Sequence, residues 1–219
     1  MHAPFNTPFS ADPPGTLAGA GGGVGNAEGT SPSISHPASD FLPGRLWIDR
    51  GARRDYDALA RFHYLAAAPA TWAGVWAARY APPKHLQPSY RPESAPRVVG
   101  VVVLSWPTPL CAPRHRAFGL THWRYGERLR WANANLRTIS RVIVHPQFRS
   151  LGLAGALIRA ALAGCDTQYV ETIARMAQAH PMFARAGMTR HPDPDPTRPA
   201  YFTFDRASLV PSPSTPGEG

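Results

Sequence analysis

The stretch Thr138-Ile139-Ser140-Arg141-Val142-Ile143-Val144-His145-Pro146-Gln147-Phe148-Arg149-Ser150-Leu151-Gly152-Leu153-Ala154 changes its structural grammar halfway along. Ile139, Val142, Ile143 and Val144 are β-branched and favour a strand, whereas Ala154, Leu157, Ile158, Ala161 and Leu162 recur at the spacing of three and four that marks an amphipathic helix. His145-Pro146 separates the two, because Pro146 brings no N–H to a ladder and biases His145 away from helical geometry. A buried strand running through a short glycine-bearing turn into a helix leaves main-chain N–H groups without partners at the positive end of the helix dipole. Such a turn is a cradle for an anion.

The order Val144-His145-Pro146, then Arg149-x-x-Gly152-x-Ala154, resembles the central motif of the GNAT superfamily of acyl-CoA-dependent N-acetyltransferases. A second block agrees with it. Tyr169 to Ile173 reads as the next strand, and Phe183-Ala184-Arg185-Ala186-Gly187-Met188 is similar to that family's aromatic-x-x-x-Gly-apolar segment. The resemblance is strong over Arg137 to Met188 and extends to Arg97 to Trp106 as an earlier strand. Ser140-Arg141-Val142, Glu171-Thr172 and Met176-Ala177 before Pro181 resemble, more loosely, the acetyltransferase-like domain found fused to ABC-type ATPases. No Gly-x-x-x-x-Gly-Lys-Ser/Thr occurs, so an ATPase site of the chain's own is not expected. The resemblance implies an α/β (α+β) fold: a mixed, mostly antiparallel central sheet with a splayed strand pair, flanked by helices.

It also implies a chemistry. Acetyl-CoA is the implied acyl donor, its pyrophosphate held by the turn at Ser150, Leu151, Gly152, Leu153, Ala154 and Gly155 with Arg149 adding charge. Its pantetheine arm is expected to lie beside Val142, Ile143 and Val144, pairing with their main chain, with Phe183 packed nearby. The acceptor is an unidentified amine, which must lose a proton before it attacks. Many members of that family keep a carboxylate near the start of the cradle strand, but here those positions are Ser140 and Arg141. Glu171 is the substitute catalytic base, being the only acidic side chain on the two strands that should flank the cleft; its alternative is a buried ion pair with Arg141 or Arg175. His145 and His180 are further candidates. Phe183 stands where many relatives carry a tyrosine that protonates the departing thiolate, and Tyr201 is another source of a hydroxyl. The competing class is a non-catalytic acyl-CoA-binding or nucleic-acid-associated module that keeps the fold without a working base.

Composition bounds these readings. The 219 residues are 43% hydrophobic, enough for one domain with a core, expected over residues 41–207. Residues 1–40 are crowded with Gly, Pro, Ala and Ser and are expected to be a disordered tail, as are residues 208–219. No Lys or Arg precedes Arg45 and no apolar run approaches membrane-spanning length, which predicts a cytoplasmic chain without a signal or membrane segment. Cys111 and Cys165 are expected to be free thiols, and no Cys/His spacing suggests a zinc site. The net charge of +9 suits nucleic acid, an acidic substrate or the coenzyme's phosphates. Lys84 is the one lysine, however, and the arginines that supply the charge are scattered apart from Arg114-His115-Arg116 and Arg124 to Arg130, which favours a solvated surface.

Along the rest of the chain, Leu46-Trp47-Ile48 reads as a first strand and Tyr56, Leu59, Phe62, His63 and Leu65 as one face of a helix begun near Asp55 or Asp57. Thr71 to Tyr80, with Trp72, Val75 and Trp76, reads as a second helix. Pro82 to Pro96 is a connector, and Val98 to Leu104 a strand buried on both faces. Pro107 to Arg137 reads as a long polar-aromatic loop where substrate contacts are expected. Pro192 to Pro196 is expected to be a turn-rich loop and Tyr201 to Phe204 a closing strand.

Overall fold

The computed structural model describes residues 34–35, 43–64, 67–83, 96–175, 181–193, 195 and 197–209. Among these, eight strands form one sheet: β1 (Ile34–Ser35), β2 (Arg45–Arg50), β3 (Gly74–Ala81), β4 (Arg97–Ser105), β5 (Leu136–Val144), β6 (Tyr169–Ala174), β7 (Thr189–His191) and β8 (Ala200–Asp205). The helices are α1 (Arg53–Leu59), α2 (Ala112–Ala117), α3 (Tyr125–Asn135), α4 (Leu153–Ala163) and α5 (Met182–Arg185). Strand order is β1-β2-β3-β4-β5-β6-β8-β7, antiparallel throughout except for β5 and β6.

That one parallel pair decides the shape of the site. β5 and β6 are joined over only three rungs, Leu136↔Tyr169, Arg137↔Val170 and Thr138↔Glu171. A side-chain bridge, Thr172 Oγ1 donating to Ile139 O at 3.1 Å, follows, and beyond it the strands no longer pair. The sheet is therefore mixed, mostly antiparallel and splayed at its middle, with helices on both faces. Ile139, Leu153, Leu157, Ile158, Leu162, Val170 and Phe202 pack together on the α4 side. Tyr56, Leu59, Val75, Val101, Val103 and Ile143 pack on the α1 side. α4 rides close on β4: a Cβ on Gly100 would stand 2.8 Å from Leu157 Cδ1.

The strand over Gly74–Ala81 corrects the helix expected for Thr71 to Tyr80. Trp76 and Ala78 point to the α4 side and Val75 to the α1 side, and β2 and β4 pair with β3 along its two edges. Alternation with two paired neighbours outweighs the weak helical spacing of the aromatics. The insertion from Pro107 to Arg137 is likewise corrected. It is not a loop but carries α2, with Pro113 in its first turn, and α3, where the Glu127 side chain accepts from Arg124 N at 2.8 Å. Helix α1 is shorter than expected. It is followed by a 3-10 turn, Ala60–Phe62, and Asp55 accepts from Ala52 N at 2.8 Å at its start.

Most of the expected N-terminal tail and of the Pro82 to Pro96 connector lies outside the described residues, as do Leu65 and His180. Ile34–Ser35, inside the stretch expected to be tail, pair with Trp47 and Ile48. No helix among the described residues is long and apolar enough to cross a membrane.

Candidate functional site

The site grows from the chain's exit from β5. His145 N donates to Val99 O at 2.8 Å, closing the last ladder rung, and Pro146–Phe148 then make one 3-10 turn over which His145 Nδ1 accepts from Gln147 N. Ser150 and Gly152 both take left-handed backbone, φ 67° and 73°, and turn the chain into α4. For Ser150 this conformation costs about 1–2 kcal/mol, which the surroundings must impose. A Cβ on Gly152 would meet nothing within 4 Å, so the space in front of the turn is open. The first N–H of this region to find a protein acceptor is Ala156, bonded to Gly152 O at 3.2 Å. From Ser150 to Gly155 none does among the described residues. These amides lie at the N-terminal, positive end of an eleven-residue helix with no acidic residue in its first turn.

The strand before the turn supplies the second element. Val144↔Gly100 and Val142↔Val102 are opposed pairs of an antiparallel ladder. The bond from His145 N to Val99 O identifies Val144↔Gly100 as a pair that exchanges no hydrogen bonds. By the alternation of such ladders, the main-chain groups of Val144 and Val142 point away from β4, toward the edge that β6 leaves unpaired. Their side chains pack half-buried on the α4 side. Arg149 Nε lies 3.4 Å from Val144 O, beside the same edge. The side chain of Ile143, 3% exposed, belongs to the α1-side core.

At the vertex of the splay sits Glu171, 2% exposed. Its Oε1 accepts from Arg114 Nη2 and from Thr138 Oγ1 at 2.8 Å; its Oε2 accepts from Arg114 Nε at 2.9 Å and from Tyr201 Oη at 2.8 Å. A carboxylate offers about four lone-pair sites, and all are taken. Glu171 therefore has no site left for an incoming ammonium. Its ion-pair partner is Arg114, not the Arg141 or Arg175 weighed from sequence. Arg114, 1% exposed, also donates to Thr108 O at 2.7 Å, so α2 is fastened onto the α1 face of the sheet. Burial, and after it the Glu171 charge, pushes the Tyr201 phenol far above its ordinary range. Burial, with Arg128 and Arg114 nearby, pushes the His115 imidazole down, and its Nδ1 lies 3.2 Å from Arg128 Nη1.

Arg141 projects on the same face as Val103, with which it pairs, in the unpaired part of β5. Nη1 donates to Ser140 O at 2.7 Å and Nη2 to Ala67 O at 2.8 Å, while Nε is enclosed without a partner. Ser140, the extra residue where β5 bulges against β4, has its Oγ 2.7 Å from Ser105 Oγ. Phe183, expected beside the pantetheine, is 3% exposed with its ring centroid 5.6 Å from that of Phe202, a position in the core. His145 is a turn residue packed between Phe62 and Phe148. Cys111 and Cys165 are buried and free, and no cluster of metal-ligating side chains occurs among the described residues. From sequence Arg114 stands out only within the basic run Arg114-His115-Arg116; its place in the site depends on a contact 57 residues away.

No model of a known protein family matches the chain, and no curated protein does. Solved structures match part of this arrangement at low identity. One is a GNAT family N-acetyltransferase (YhbS) from Escherichia coli in complex with CoA, at TM-score 0.47 and 15% identity over 75% of this chain and 83% of that one. Another is a GNAT family acetyltransferase from Brucella melitensis in complex with acetyl-CoA, at 0.42 and 13% over 74% and 88%. A third is a KacTA–DNA complex, at 0.44 and 14% over 75% and 96%. The sheet itself, mixed, mostly antiparallel and splayed at one parallel pair, has the arrangement the motifs implied.

Proposed function

We propose that this protein is an acetyl-CoA-dependent N-acetyltransferase that transfers the acetyl group directly to an amine in a ternary complex. The observation that carries the reading is the run of unpartnered amides from Ser150 to Gly155 adjoining the unpaired edge of β5. The turn amides and Arg149 hold the pyrophosphate. The outward main-chain groups of Val142 and Val144 receive the pantetheine as an added strand, with Ile143 fixing that edge from the core. One of their N–H groups faces the thioester oxygen as it becomes an oxyanion, an interaction worth about 3–4 kcal/mol where such donors have been removed.

Glu171 enters this mechanism as a positioning residue rather than as the atom that takes the proton. Its carboxylate ties Thr138 of β5 and Tyr201 of β8 together at the last paired rung, the point from which β5 and β6 diverge. Among the described residues, segments 61–64, 67–73, 106–126, 139–152, 172–175 and 181–192 contain no Asp or Glu that could substitute, and Asp193, the next carboxylate, is paired with Arg116. The acceptor amine must therefore arrive neutral, losing its proton to water. The departing thiol, with an ordinary pKa near ~8.5, leaves without a dedicated acid. Two free buried thiols suit a reducing compartment such as the cytoplasm.

The saturation of Glu171 favours one second reading, a coenzyme-binding module without turnover. Calorimetric titration with acetyl-CoA followed by assay of free CoA over a panel of amines separates the two. Binding with CoA release is expected for the enzyme, and binding without release for the module. Absence of binding overturns both.

A further inference from the structure

We propose that the acceptor is a weakly basic α-amine carrying an anionic group, and that Arg141 recognises the anion. The inference rests on the acyltransferase reading and names its substrate class.

At the vertex of the splay the carboxylate of Glu171 is neutralised by Arg114. Arg141 stands on the α1 face along the unpaired part of β5, fastened only to the carbonyls of Ser140 and Ala67, with no carboxylate partner among the described residues. A guanidinium is a fork of five donors suited to carboxylate or phosphate; in this one each Nη has given one N–H to a carbonyl and keeps a second for an incoming anion, while Nε is enclosed. A dication or a lysine-rich segment would meet an uncompensated positive charge there. An amine with its own anion would complete the pairing. A single fixed guanidinium marks one anionic group; a polyanion is recognised by an array of exposed cations.

The missing base sets the second requirement. At pH 7 an α-amino group, with pKa about 7.7–8.0, is neutral roughly a tenth of the time, whereas a lysine amine near 10.4 is neutral less than about one part in 1,000. Without a carboxylate to take the proton, the weakly basic amine has the larger reactive fraction by roughly two orders of magnitude. In the step itself the amine nitrogen attacks the acyl carbon and the C–N bond forms. The C–S bond breaks with its electron pair leaving on sulfur, and the proton shed by nitrogen reaches the thiolate through water, giving amide and free thiol.

The test uses the full chain, acetyl-CoA and C-terminally amidated dipeptides at pH 7. Alanyl-aspartate is compared with alanyl-asparagine, alanyl-phosphoserine with alanyl-serine, and alanyl-lysine and N-acetyl-lysine amide serve as cationic acceptors. We expect kcat/KM at least tenfold higher for an anionic dipeptide than for its neutral partner, and the carboxylate and phosphate arms tell which anion fits. Arg141→Gln should erase that preference through KM, with the acetyl-CoA Kd unchanged by calorimetry, and Arg141→Lys should restore part of it. Preference for either cationic acceptor overturns the proposal. So does an Arg141→Gln enzyme that keeps the wild-type preference. Acetyl-CoA binding without release from any dipeptide overturns the acceptor assignment alone; loss of acetyl-CoA binding in the unmodified protein overturns the acyltransferase reading itself. Inhibition by a poly(A) strand that fades with salt, without dipeptide turnover, would reassign Arg141 to nucleic acid.

Discussion

The guanidinium of Arg114 grips both carboxylate oxygens of Glu171 at the last rung where β5 and β6 are paired. An insertion between β4 and β5 is thereby tied to the point where the sheet opens. Both side chains are withdrawn from water, so removing one leaves the other charge uncompensated. Arg114→Leu should cost about 3–5 kcal/mol in chemical unfolding, whereas the double replacement Arg114→Met with Glu171→Leu should recover most of that loss. A double mutant as unstable as the single would show that the pair is not the source of the cost.

Tyr201 and Glu171 test the same hub from another strand. Tyr201→Phe deletes one of four hydrogen bonds to a buried carboxylate and should lower stability by about 1.5–3 kcal/mol. The acetyl-CoA Kd should stay unchanged, because the hydroxyl is committed to Glu171 and not to the turn.

At Gly152 two substitutions separate backbone strain from occupancy of the cradle. Gly152→Ala adds a methyl into open space at φ 73° and should cost about 1–2 kcal/mol of stability while retaining coenzyme binding. Gly152→Glu places a bulky negative side chain where the pyrophosphate is held and should abolish binding in calorimetry.

Acidification should weaken the fold through His115 and His191. Burial lowers the proton affinity of both rings, and for His115 the charges of Arg128 and Arg114 lower it further. The unfolded chain then binds more protons than the native one as pH falls through the ordinary histidine range, near 6.5. Stability is indifferent to these rings above that range and declines below it. The Tm should fall between pH 7.5 and 5.5, and His115→Gln together with His191→Gln should flatten the fall.

What the sequence made legible was local. The passage from β5 through Pro146 and Gly152 into α4 is written in residues that touch their chain neighbours, so strand, turn and helix were all readable there. β3 was not, because Trp72, Val75, Trp76 and Tyr80 fit a helical spacing and only the two flanking strands settle the period. The helices of the insertion were hidden by their polar, arginine-rich makeup. The saturation of Glu171 was unreadable for a stronger reason: its donors come from Arg114, Thr138 and Tyr201, which only the folded sheet brings together.

The most direct test of the central claim is an amide-resolved NMR titration of the full chain with acetyl-CoA. The account predicts large, saturable shifts for the N–H signals from Ser150 to Gly155 and for Val142 and Val144, with the α1-side core resonances unmoved. Binding that leaves those amides unshifted, or no binding at millimolar acetyl-CoA, would contradict it.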